Sequence, residues 1–353
     1  MSLKVLASQL GMSTSTVSRA MNDYPDISQK TKDRVRLAAN QLGYQANAAA
    51  RRLVSGKSKN VGLLLPLSNK HRSSGFLDHI LSGATEALID HDYLLSAIAV
   101  PRDDQELDRL RYLVDGRILD AAILVRTRIN DPRINFLLER NFPFVCYGRS
   151  ERAGEFAWLD MDNEAAMQLS IDNLLLNGFD QIAFINASED FYFAKMRHDG
   201  FCSAMKKAGK ITLDCRTICS GLNEDDGFSS AQELLQLDPS INAILCANDT
   251  VAVGALKACK RAGRKPGKDI AIIGYNNSPS GRYTEPALTT IQHDEPIVIG
   301  HQLGEMVVRR LQGEPIKNLQ KLMPPQWVSR ETCGAINQSE KAQPTHNKRQ
   351  VIS

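Results

Sequence analysis

Five hydroxyl side chains and one guanidinium fall within seven consecutive residues, Ser13, Thr14, Ser15, Thr16, Ser18 and Arg19 of GMSTSTVSRAMN. A hydroxyl can donate to a base edge or accept from it, and an arginine fork can make two parallel bonds to guanine. Capping a helix uses one such residue, not five. If a helix starts after Ser13 and turns Thr16, Val17 and Ala20 inward, then Thr14, Ser15, Ser18 and Arg19 share the opposite face. These four are candidate readers of base edges and phosphates in a helix-turn-helix, where one bidentate arginine pair gives about 1 to 3 kcal/mol of discrimination. The competing reading is a plain capped surface helix. Charge argues against it: residues 1–60 hold ten Lys and Arg against three Asp and Glu in a chain of net charge +3, so a basic head precedes an acidic remainder. A basic head suits a polyanion.

Catalytic and metal chemistry finds little support. His293 and Asp294 follow no nucleophile-elbow motif, and the 353 residues contain no phosphate loop and no paired Cys/His site. The seven cysteines (146, 202, 215, 219, 246, 259 and 333) are odd in number and mostly set in apolar strings. They read as reduced core residues, and Cys215 and Cys219 lack nearby partners for a metal. No enzyme, metal or cofactor is expected. MSLKVLASQLG lacks the apolar core of a signal peptide, and no apolar run reaches the roughly 18 residues of a membrane span, so a cytoplasmic protein without membrane contact is expected.

Three helical patterns position the candidate readers. Ser2 can cap a helix with Leu3, Leu6, Ala7 and Leu10 on one face, which Gly11 ends. Ser13 caps the second. Ser28 caps a third, in which Thr31, Val35, Ala38 and Leu42 recur before Gly43. Residues 47–56, NAAARRLVSG, are helical in composition but too short to hold a helix alone. From Val61 the pattern becomes buried strands (VGLLLPL, LLSAIAV, AAILV, FVCYG) separated by helices near 76–90, 104–115 and 132–140. A second series follows, with QIAFINA, a strand near 215–219, AILCAND and DIAIIGY between helices near 194–208, 226–236 and 250–262. Such alternation calls for two α/β lobes with parallel sheets. Ligands bind at the carboxyl ends of such strands, which gathers FVCYGR, FINASEDF, CANDT and GYNNS around one cleft.

In STSTVSRAMN, DISQKTKDRVRLAANQLGY, NAAARRLVSG, LDMDNEAA, MRHDGF, CANDTVAVGALKA, GYNN and LTTIQHD the chain resembles the LacI/GalR family of bacterial transcriptional regulators, over roughly residues 2–333. The resemblance implies an all-α helix-turn-helix head (1–46), a hinge helix or linker (47–58), and a two-lobe α/β effector and dimerisation domain like the periplasmic binding proteins (59–333). Lobe 1 is expected at about 59–158 and 292–320, and lobe 2 at about 159–291 and 321–333. Residues 334–353 are polar without an apolar repeat and are expected to be a disordered tail. By similarity Leu3, Thr14, Ser15, Ser18 and Arg19 face the operator, while Asn22, Ser28, Thr31 and Tyr44 hold phosphates. Ser28 also earns that role physically, because a capped helix N-terminus suits a phosphate. Asn47, Ala50 and Leu53 match the hinge helix, in which paired leucines wedge into the minor groove.

For the effector, the resemblance points to Arg197 in MRHDGF, to Asn248 and Asp249 of CAND, to Asn276 of GYNN and to Phe76. Asn suits polyols, since it both donates and accepts. Trp158 lies near the lobe crossover and is a candidate for stacking on a sugar face. Plainer roles compete: Asp249 as a helix cap, Arg197 as an ion-pair partner, Phe76 as core. Three departures from the family pattern stand out: Asn276 where Asp is frequent, Leu222 where the lactose-responsive relative has tryptophan, and Gly75 where proline is usual. The expected protein is a homodimeric repressor of carbohydrate genes, bound to a palindromic double-stranded DNA operator and released by a small sugar. Two alternatives remain open: a corepressor-dependent regulator answering to a non-sugar metabolite, and a sugar-binding protein without a regulatory role, which the basic head opposes.

Overall fold

The computed structural model describes residues 2–44, 57–66, 75–100, 103–210 and 216–334. The chain divides into two compact units, Met1–Ser58 and Lys59–Ser353. Three helices form the first: α1 (Leu3–Leu10), α2 (Thr14–Met21) and α3 (Gln29–Gln41). Each begins at the expected serine, with Ser2, Ser13 and Ser28 accepting from the backbone N–H of Val5, Thr16 and Thr31. Gly11 ends α1 at φ 63°, in the left-handed region that a Cβ disfavours. Leu6, Ala7, Val17, Ala20, Val35 and Ala39 make the core, with Leu3, Leu10, Ala38 and Leu42 packed around it. In α3 the fully covered pair is thus Val35 and Ala39, one position on from the expected Ala38.

The second unit alternates strand and helix. β1 (Asn60–Pro66), α4 (Phe76–Ile89), β2 (Leu94–Val100), α5 (Glu106–Asp115), β3 (Ala121–Val125), α6 (Pro132–Glu139), β4 (Phe144–Tyr147) and β5 (Ala157–Met161) build one lobe. The other holds α7 (Asn163–Leu176), β6 (Ile182–Asn186), α8 (Tyr192–Lys207), β7 (Thr217–Cys219), α9 (Glu224–Leu237), β8 (Ala243–Cys246), α10 (Asp249–Arg261), β9 (Ala271–Tyr275), α11 (Pro279–Arg282) and β10 (Thr289–Gln292). The chain then returns through α12 (Pro296–Leu311) and β11 (Gln320–Met323) to the first lobe, and ends with β12 (Gln326–Val328) in the second. Strand order is β11-β5-β4-β3-β1-β2 in one six-stranded sheet and β12-β10-β9-β8-β6-β7 in the other. All neighbours pair parallel except β12, which is antiparallel to β10. β3, β6 and β9 are buried at every residue, as sheets covered on both faces require.

Seven strands are legible as apolar runs, and β7, half-buried to exposed, matches the strand expected near 215–219; β5, β10, β11 and β12 are not legible. They are short, and three of them carry polar residues such as Thr289, Thr290, Gln292, Gln320, Lys321 and Gln326, which blur the strand signal. Because these strands carry the crossings, positions 158, 291 and 320 fall within β5, β10 and β11, and the chain changes sheet after Met161, Gln292 and Met323. Helix α12 packs on α4 through glycine: a Cβ on Gly83 would lie 1.9 Å from Ile297 O, and one on Gly300 2.1 Å from Ile80 O. No helix among the described residues is long and apolar enough to cross a membrane.

Candidate functional site

In the head, Val17 and Ala20 are fully buried and fix the inner face of α2. Thr14, Ser15 and Arg19 are exposed on the other side and Ser18 is half-buried. The Arg19 guanidinium lies 2.7 Å from an Asp26 carboxylate oxygen and 5.1 Å from the centre of the Tyr24 ring. Asn22 ends the helix and donates from Nδ2 to Ser18 O at 2.8 Å. Ser28 accepts from Thr31 N at 3.3 Å, and its hydroxyl lies 2.9 Å from that of Thr31, so both expected phosphate holders sit at the start of α3. Leu3 and Tyr44 are partly buried against the head core. Asn47, Ala50 and Leu53 lie outside the described residues.

In the second unit, strand ends from both lobes enclose a cavity of about 630 Å³. Phe76, Arg197, Asn248, Asp249 and Asn276 all line it, as does Leu222. Arg197 is 3 % exposed and is not a surface ion-pair residue. Its Nε donates to Asn163 Oδ1 at 2.8 Å and its Nη1 to Ala247 O at 2.7 Å, while the guanidinium carbon stands 3.5 Å from the centre of the Tyr275 ring. These bonds engage two of its five N–H donors within the fold and fix the plane of the guanidinium at the cavity wall.

Asn248, not Asp249, caps α10: its Oδ1 accepts from Val251 N at 2.7 Å and its Nδ2 donates to Leu222 O at 3.2 Å. Asp249 is 2 % exposed and turns instead to the neighbouring strands. It accepts from Thr290 Oγ1 at 2.6 Å and from Ser278 N. A side chain at Gly274 would have its Cβ 2.1 Å from Asp249 Oδ1, so the glycine of GYNN makes room for the carboxylate. Burial lifts the Asp249 carboxyl to about 6 against those hydrogen bonds. Asn276 and Asn277 follow at φ 94° and 51°, backbone angles that Asn tolerates better than most residues.

Trp158 corrects the sequence reading. It does not line the cavity; it packs against the first lobe's core and donates from Nε1 to Ala153 O at 3.0 Å. It lies two residues before Asp160 on β5, about 6 to 7 Å further from the strand end. Asp160 does line the cavity, 4 % exposed, with Arg149 Nε at 2.7 Å, and burial raises its carboxyl. Other residues that sequence reasoning missed are Tyr147, Phe193 and Tyr275, which line the cavity, and His293 beside it. The Tyr147 hydroxyl and His293 Nδ1 have no hydrogen-bond partner among the described residues. Tyr275 OH lies 3.3 Å from His293 Nε2, and burial with the nearby Arg197 charge pushes His293 down to about 3, so its ring is neutral. Tyr147 and Tyr275 stand at the strand ends already gathered by FVCYGR and GYNNS, a signal that could have found them. Chemically the site offers a stacked guanidinium, aromatic faces, amides and a buried carboxylate, a set suited to a polar, ring-shaped ligand. No group of three His, Cys, Asp or Glu among the described residues could hold a metal ion.

Residues 2–47 match the model of bacterial regulatory proteins, lacI family, and residues 171–333 that of a periplasmic binding protein-like domain. The chain is 33% identical over 276 residues to the HTH-type transcriptional regulator AglR of Rhizobium meliloti, covering 78% of this chain and 77% of that one. It is 31% identical to RafR of Escherichia coli, another HTH-type transcriptional regulator, covering 91% and 95%. Among solved structures, a CelR–cellobiose complex superposes with a TM-score of 0.72 at 25% identity, covering 94% of this chain and 99% of that one.

Proposed function

Because the chain belongs to the lacI family of bacterial regulatory proteins, and is therefore a DNA-binding transcriptional regulator, we propose that it represses carbohydrate-utilisation genes and leaves its operator when a small sugar fills the cleft. The carrying observation is the cavity of about 630 Å³ between the two sheets' strand ends, within the range of small-molecule sites. Its aromatic rings can stack on sugar faces, and its amides, guanidinium and carboxylate can meet hydroxyls. The similar CelR structure is a cellobiose complex, which favours a sugar here.

In this reading Thr14, Ser15, Ser18, Arg19 and Leu3 face base edges, Asn22, Ser28, Thr31 and Tyr44 hold phosphates, and Asn47, Ala50 and Leu53 serve a hinge whose leucine wedges into the minor groove. The head is residues 1–46 and the hinge 47–58. The protein acts in the cytoplasm as a two-fold dimer, because one short recognition helix reads few base pairs and a dimer reads a palindrome. Sugar binding shifts the lobes and hence the placement of the two heads, which requires different sugar affinity in the two states. The test is a melting-temperature screen of the full chain with maltose, melibiose and cellobiose, then gel shifts on the palindrome selected by the protein from a random DNA pool. A sugar that both stabilises the protein and releases DNA supports the reading. A sugar that tightens DNA binding makes the effector a corepressor, and binding of purines but no sugar moves the effector class.

A further inference from the structure

Away from the crossings, the two lobes are joined by main chain. Tyr192 N donates to Thr127 O at 3.0 Å and Ile129 N donates to Asp190 O at 3.0 Å, and Arg128 pairs with Phe191 in an antiparallel bridge. In sheet order β3 is separated from β5 by β4, and β6 from β10 by β8 and β9. The bridge, at the carboxyl ends of β3 and β6, therefore stands apart from the points where the chain changes lobe. Thr127 and Phe193, next to it, line the cavity. Tyr192 is the first residue of α8, so its N–H has no partner inside the helix. It finds one on the other lobe.

The first-lobe side of this bridge is held by buried charge. Arg126 sits at φ 53°, a left-handed angle costly for a residue with a Cβ. Arg133 Nη2 donates to Val125 O at 3.2 Å, to Arg126 O at 3.1 Å and to Asp131 Oδ2 at 2.7 Å. The same Asp131 oxygen accepts from Arg128 N at 3.0 Å. Arg133 is 1 % exposed and Asp131 and Glu106 2 % each; Glu106 Oε2 lies 2.9 Å from Arg133 Nη1. Breaking a buried, paired cluster is strongly unfavourable, so residues 126–131 keep the shape that presents Thr127 O and Ile129 N.

We propose that this main-chain bridge is a latch that opposes parting of the lobes, so that opening of the cleft must break both bonds together. It adds a fixed weight to the closed arrangement, whatever polar ligand the cleft takes.

Amide hydrogen exchange on the full chain tests the latch. The Tyr192 and Ile129 amides should exchange at a common rate, at least about tenfold slower than the amide of Glu224, the exposed first residue of α9. Tyr192→Pro removes the donor together with the ring and without disturbing the backbone, because a first helical position tolerates proline and Phe191, at φ −80° and ψ 133°, already suits the residue before one. It should lower Ile129 protection about tenfold or more while leaving β3 and the rest of α8 unchanged. Tyr192→Ala keeps the N–H and should leave Ile129 as in the wild type. The proposal is overturned if the wild-type Tyr192 amide exchanges as fast as that of Glu224, if Tyr192→Pro leaves Ile129 protected, or if both variants lose protection alike, which would assign the effect to the ring. The wild-type comparison needs no variant to fold. No sugar enters the experiment, so its failure leaves the sugar reading standing.

Discussion

Arg19 and Asp26 are both nearly half exposed, at 46% and 49%, although they stand 2.7 Å apart. Such a pair is worth little in water, so a guanine edge can take over the guanidinium at small cost. Arg19→Ala should weaken binding to the selected palindrome about ten- to a hundredfold, read by gel shift, with the melting temperature unchanged; undiminished selectivity would remove Arg19 from the reading face. In the cleft, two buried groups respond to pH in opposite senses. Asp249, raised to about 6 by burial, contributes stability that is fully present below 3.8 and lost as pH rises through 6. His293, lowered to about 3 by burial and by Arg197, contributes stability that is fully present above 6.5 and lost as pH falls towards 3. Within the window from about pH 4 to 6.5, Asp249→Asn should therefore steepen the loss of stability on acidification and His293→Asn should flatten it, as melting temperature against pH will show. Variant profiles parallel to the wild type would mean that neither group's pKa differs between the folded and the unfolded chain. Arg197, Asn248 and Asn276 were legible because each stands in a recognisable string, Arg197 within α8 and the two asparagines just past the ends of β8 and β9. His293 and Asp160 were not, since their chemistry comes from what buries them, and Trp158 was misread because sequence does not say how far along a strand the cleft begins.

The helices of both lobes lock through glycines. A Cβ at Gly83 would meet Ile297 O at 1.9 Å across the α4–α12 contact, and one at Gly254 would meet Glu224 O at 2.0 Å across the α9–α10 contact. Backbone cannot yield as a flexible side chain does, so Gly83→Ala and Gly254→Ala should each cost about 1 to 3 kcal/mol or more, measured by urea unfolding. A loss smaller than about 0.5 kcal/mol, the size of an ordinary surface change, would contradict the close approach. The head's caps and inward faces were readable residue by residue, because Ser2, Ser13 and Ser28 each precede a helical apolar repeat. Seven apolar strands were equally plain, and the eighth, β7, was expected near 215–219. The mixed strands β5, β10, β11 and β12 escaped because backbone pairing, such as Met161 with Met323 and Ile291 with Trp327, fixes them more than their own side chains do. They are also where the chain passes between lobes, so the order of the lobes was legible and the residues of the hinge were not.

At the scale of the molecule, the chain joins a basic reader of DNA to a two-lobe cleft, and the central claim is that filling the cleft alters the hold on DNA. Such coupling between sites is typically 5- to 150-fold in affinity. Arg197, packed between Asn163, the Ala247 carbonyl and Tyr275, is the cleft residue whose change should separate sensing from reading. Arg197→Lys keeps the charge but cannot form the same planar fork, so it should bind operator as the wild type does and need about tenfold more sugar to respond. The most direct measurement is an anisotropy titration of the selected palindrome with the full chain, without sugar and with saturating maltose, melibiose or cellobiose, on wild type and Arg197→Lys. At least one sugar should weaken wild-type operator binding about fivefold or more, with the variant's response displaced to higher sugar concentration. Operator affinity that no sugar moves, or a variant response superposed on that of the wild type, would contradict the account.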